Sequence, residues 1–124
     1  MSSVTSALSD VAASMSPDEL TKKVEEIKAA GNERFLKGDY TQAKALYTDA
    51  LSLNPNIVAI YSNRAICELK LEQYGLAIAD ATKAIELDAT FAKAYYRRAC
   101  AHLAILDPMA ALPALKMVVR LEPR

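Results

Sequence analysis

Two pairs of polar residues in this chain stand one helical turn apart, Lys28 with Asn32 and Lys93 with Arg97, and Asn63 lies between them in the sequence. Lysine and arginine are cationic donors, and asparagine amides are neutral ones. Residues four apart on a helix share a face, so each pair could reach one group from one side. The natural complement of such a set is a carboxylate cluster. Its strongest form is the C-terminal residue of a peptide when that residue is Asp or Glu, because two carboxylates then lie close together. Asparagine is a poor helix-interior residue, and Asn32 and Asn63 both fall mid-helix in the reading below, a local cost that a binding role accounts for. The competing reading is solvated surface, where helical cations usually belong. Spacing alone leaves both open.

Positioning those residues requires elements in a fixed register, and the chain supplies one by repeating itself. A shift of ~34 residues, a period typical of helical repeats, brings Gly31, Ala65 and Ala99 into coincidence. It does the same for Ala43, Ala77 and Ala111, and for Leu53, Leu87 and Leu121. Small residues recur where two helices must approach closely, and large aliphatics recur where a pair buries its seam. Each unit reads as two helices. "SPDE" opens the first, with Ser16 as N-cap, Pro17 at the first helical position and Glu19 completing a capping box. That helix reaches about Leu36, where Gly38 stops it and Asp39 caps the next, over about 41–53. The second unit covers about 57–70 and 74–87, the third about 91–105 and 108–121, the last helix opened by Asp107. Connections of two to four residues make neighbouring helices antiparallel. Pro113 falls inside the last helix, which is therefore expected to bend or fray.

At ~100° per residue, the recurrent positions of each first helix fall on one arc: Ile27/Tyr61/Tyr95, Ala30/Arg64/Arg98, Gly31/Ala65/Ala99 and Arg34/Glu68/His102. Lys28, Asn32, Asn63, Lys93 and Arg97 fall within an arc of roughly 100° on nearly the opposite side, with Lys70 near its edge. Stacking would bring these residues to one surface. Asn63 and Arg97 occupy equivalent positions, with Ala29 the third. A position that varies within a repeat array is free of the stacking constraint and available to a ligand.

The rest of the 124-residue chain narrows the function classes. Fifteen basic residues cancel fifteen acidic ones, so no net field draws the molecule towards nucleic acid or an anionic membrane. No apolar run approaches the ~20 residues a membrane span needs. The two cysteines, Cys67 and Cys100, lack metal-site spacing and read as buried thiols of a reduced compartment. His102, the single histidine, lies on the packing side. No phosphate loop and no nucleophile–base pair is present, so this chain alone is expected to catalyse nothing and to hold no cofactor or metal. The Ser/Ala-rich residues 1–16 read as a disordered lead-in, lacking the features of a secretory signal. The location expected is cytoplasmic, with the nucleus as a second possibility.

The small residue at 31/65/99, the alanine at 43/77/111, the aromatic Tyr40/Tyr74 and the terminal Pro55/Pro123 resemble the tetratricopeptide repeat. The resemblance implies an all-α domain over 17–124, with repeats at about 24–57, 58–91 and 92–124. Its three stacked antiparallel helix pairs would form a right-handed superhelix whose concave groove is lined by the first helix of each pair. Lys28…Asn32, Asn63 and Lys93…Arg97 are similar to the dicarboxylate clamp of co-chaperone repeats, whose ligand is the acidic C-terminal tail, ending Glu-Glu-Val-Asp, of cytosolic 70- and 90-kDa heat-shock chaperones. Residues 74–107, through "YG", "DATKAIELD" and "KAYYRRA", most resemble the N-terminal repeat domain of the type 5 serine/threonine protein phosphatases, in which Lys70 stands at an arginine of the groove. The resemblance implies a regulatory domain that folds back over a phosphatase catalytic unit and releases it when peptide binds. The close at Arg124, without a solvating helix, fits a longer parent. A generic repeat scaffold, or another co-chaperone adaptor, is the alternative.

Overall fold

The computed structural model describes residues 12–105 and 108–121. They form six α-helices in chain order: α1 Pro17–Leu36, α2 Tyr40–Leu53, α3 Val58–Lys70, α4 Tyr74–Leu87, α5 Ala92–Ala104 and α6 Pro108–Leu121. The helix ends expected from the sequence are all within two residues of these. The lead-in up to residue 11, the Asp107 cap and the side chains of Leu115, Val118 and Val119 lie outside the described residues.

Local chemistry sets the boundaries. Ser16 Oγ accepts from the Glu19 N–H at 3.2 Å, and the Ser16 N–H donates to Glu19 Oε1 at 2.8 Å, closing the capping box. Two residues past the end of α1 stands Gly38, whose φ of +79° lies in the left-handed region open to glycine. The Asp39 N–H then turns back onto the Arg34 carbonyl at 2.9 Å, while the Asp39 side chain caps α2. One repeat later the same turn recurs without glycine: Glu72 takes φ +60°, and the Gln73 N–H reaches the Glu68 carbonyl at 2.7 Å. α6 runs as one helix through Pro113.

The pairs α1/α2, α3/α4 and α5/α6 pack internally, and each stacks on the next through α2/α3 and α4/α5; α3 also touches α5 directly. Alanines make the close approaches: Ala43, Ala65, Ala77 and Ala84 are fully buried, and Ala99 nearly so. At Gly31 the fit is tightest. A Cβ there would lie 2.8 Å from Cε1 of Tyr47, so the glycine leaves the slot that this ring fills. The recurrent Tyr and Arg of the first helices also repeat their contacts. Tyr61 Oη donates to the Pro55 carbonyl and Tyr95 Oη to the Ala89 carbonyl, each at 2.8 Å. Arg64 lies over the Tyr61 ring and donates to Thr48, and Arg98 lies over Tyr95 and donates to Thr82. The long side chains on the packing arc thus stitch each repeat to the one before it. α6 lays Met117 and Leu121 on Tyr95 and Ala99, while its Met109 and Leu112 are exposed.

Candidate functional site

The first helix of each pair carries the polar residues singled out from the sequence. α1 presents Lys28 and Asn32 one turn apart, α3 presents Asn63 mid-helix, and α5 presents Lys93 and Arg97 one turn apart. Lys70, exposed, closes the C-terminal end of α3. Asn32, Asn63 and Arg97 are half-buried, and Lys93 is exposed.

Two of these residues are joined by a third group that sequence reasoning did not single out. Tyr47 on α2 is almost fully buried, at 1 % exposure. Its Oη donates to Asn32 Oδ1 at 2.5 Å, and the Asn63 side chain lies beside the same hydroxyl. Amides from two successive repeats therefore stand at one phenol. Burial, with the Cys67 thiol nearby, pushes the Tyr47 phenol up to about 12 despite the Asn63 side chain, so the hydroxyl keeps its proton at physiological pH. A signal for Tyr47 was available: its register mates at 81 and 115 are Ala and Leu, so it varies across the array as the clamp candidates do.

The cationic members differ in their partners. Lys28 is paired with Glu25, three residues earlier, at 3.2 Å, a half-exposed contact that an incoming carboxylate would have to displace. Among the described residues, Lys70, Lys93 and Arg97 have no ion-pair partner. Arg97 lies with its guanidinium carbon 5.0 Å from the Tyr96 ring centre, and its Nε is buried without a hydrogen bond. Such an arginine is held in place by stacking while its charge is left uncompensated.

Behind this surface lies an ionic cluster that the packing arc did not foretell. Arg64 forks onto Asp80 of α4 with two bonds of 2.7 Å. Burial works against the guanidinium charge, and the Asp80 bonds outweigh it. Glu68, 3 % exposed, lies 3.6 Å from Lys44 and 4.0 Å from Arg64. Burial, then the neighbouring Asp80 carboxyl, pushes Glu68 up to about 8 against the pull of both cations. Among the described residues no group of three His, Cys, Asp or Glu is placed to hold a metal ion, and the His102 Nδ1 is buried without a partner. With its oxygen committed to Tyr47, Asn32 keeps both amide N–H groups available as donors, and α1 and α5 of the same stack carry the cations Lys28, Lys93 and Arg97.

The profile of the tetratricopeptide repeat matches residues 29–57 and 58–91. The chain belongs to the tetratricopeptide repeat family. Human serine/threonine-protein phosphatase 5 is 42% identical to it over 106 residues, 86% of this chain and 21% of the phosphatase. The chain thus spans about a fifth of that relative's length. Among solved structures, the first tetratricopeptide domain of Spaghetti (RPAP3), bound to the HSP90 peptide SRMEEVD, superposes with a TM-score of 0.81 at 30% identity, covering 83% of this chain and 82% of that one. The TPR2B domain of yeast Sti1, in complex with an Hsp70 peptide, gives a TM-score of 0.79 at 38% identity, covering 82% and 81%. The all-α fold of stacked helix pairs and the co-chaperone resemblance expected from the sequence both hold.

Proposed function

We propose that this domain is a peptide receptor for the acidic C-terminal tail, of Glu-Glu-Val-Asp type, of 90- and 70-kDa class heat-shock chaperones. Lys28, Asn32, Asn63, Lys93 and Arg97 form the carboxylate clamp, with Lys70 at its edge. The observation that carries this reading is the buried Tyr47 hydroxyl, which bonds Asn32 of α1 and has Asn63 of α3 beside it. It brings amides from two repeats to one place, and Arg97 stands at the register of Asn63 on α5, a helix packed directly against α3. The likeness to two domains solved with HSP90 and Hsp70 peptides supports the choice of ligand. Charge-assisted bonds of ~1.5–3 kcal/mol each supply affinity, and the pairing of terminal and side-chain carboxylates supplies selectivity for a chain end.

We also place the domain at the N-terminus of a longer serine/threonine protein phosphatase, as its regulatory unit, a reading supported by the identity to human phosphatase 5. Catalysis would then belong entirely to the partner unit.

Calorimetric titration with SRMEEVD as free acid and as C-terminal amide tests the clamp. The free acid is expected to bind and the amide to bind much more weakly. Arg97→Ala weakens the free-acid complex ~10–100-fold, and raising the salt concentration weakens it further. Equal binding of the two peptides would sink the clamp.

A further inference from the structure

Tyr47 makes a hydrogen bond with a fixed direction. A phenol has one proton to give. That proton goes to Asn32 Oδ1, and the Asn63 side chain lies beside the same hydroxyl. Asn32 has then committed its oxygen to the protein, and both of its N–H groups remain to be used. The hydroxyl is held there by shape. The ring fills the slot that Gly31 leaves open, one residue before Asn32, and it is buried.

We propose that Tyr47 is a positioning residue that sets the amide orientation of Asn32, and thereby makes the groove discriminate a carboxylate from a carboxamide. An asparagine without this constraint can turn its oxygen outwards, where it repels a carboxylate and accepts from an amide N–H. Tyr47 removes that option for Asn32. Part of the site's preference for a free C-terminus is in this way set by a side chain on a second helix that need not touch the ligand. The inference rests on the clamp reading of Asn32 and Asn63.

Tyr47→Phe keeps the ring in the Gly31 slot and deletes only the hydroxyl. Titration of wild type and Y47F with SRMEEVD free acid and its amide reads the discrimination. Y47F is expected to weaken the free-acid complex about 10-fold and to leave the amide complex unchanged or slightly tighter, so that the ratio of the two affinities shrinks. A purely structural role lowers both affinities together and keeps the ratio; that result would overturn the proposal. Side-chain amide nitrogen–proton spectra of the unliganded protein report separately. The Asn32 side-chain amide resonances are expected to differ between wild type and Y47F, and unchanged resonances overturn the orientation itself. Should they differ and wild type yet bind neither peptide, the functional reading fails while the orienting role of Tyr47 stands.

Discussion

At the scale of single residues, Glu68 shows how far a neighbourhood can move a group. Its carboxyl is buried on α3 among Lys44 of α2, Arg64 of its own helix and Asp80 of α4, and it is pushed from an ordinary carboxylate value up to about 8. The native chain therefore holds a proton that the unfolded chain gives up. Stability falls as pH rises from the usual carboxyl range through about 8, by at most about 1.4 kcal/mol per pH unit from this one group. Urea denaturation at pH 6 and pH 8 should show the loss, and Glu68→Gln should flatten the dependence. The sequence register placed Arg64 and Glu68 on the packing side, and there they are. It could not reveal Lys44 or Asp80 as their partners, because helical periodicity gives the face of a residue but not the side chain arriving from another helix. For Tyr47 the variation across the register was readable, but not the hydrogen bond of its hydroxyl to Asn32 on another helix.

At the scale of elements, the turns after α1 and α3 make the same backbone hydrogen bonds with different residues at the left-handed position. Gly38 occupies it in the first and Glu72 in the second. A side-chain-bearing residue held there costs ~1–2 kcal/mol, and Glu72 is exposed. Glu72→Gly should raise the free energy of unfolding by ~1 kcal/mol, measured by chemical denaturation, with peptide binding unchanged. The "GD" at 38–39 was readable as a helix stop because glycine and a capping aspartate announce one. "LEQY" at 71–74 carries no such mark, and its boundary came from the repeat period alone. Capping boxes, small-residue contacts and helix ends were legible because they depend on neighbours in sequence or on the repeat itself.

At the scale of the whole molecule, the three pairs are alike in plan and unequal in attachment. Arg64 ties α3 both to Thr48 of α2 and to Asp80 of α4. Among the described residues, its successor Arg98 donates to Thr82 alone, at 3.3 Å, and alanine stands at 114, the register mate of Asp80. α6 adds an internal proline and exposes Met109 and Leu112. Backbone hydrogen exchange should accordingly be slowest in α2–α4 and fastest in α6; protection through 108–121 equal to that of α3 would contradict the gradient. The stacked architecture itself was legible in the chain, since a period repeated three times specifies it redundantly. The unequal fastening was not, as it depends on which carboxylate meets which guanidinium across a helix interface. The division of the polar residues among the pairs has a consequence for release. If the last pair peels away under heat or pulling, Lys93 and Arg97 depart with it, while the two asparagines stay on the intact half. On the clamp proposed above, a captured chain end would then be let go by unravelling from one end of the stack, with most of the domain still folded and ready to close again.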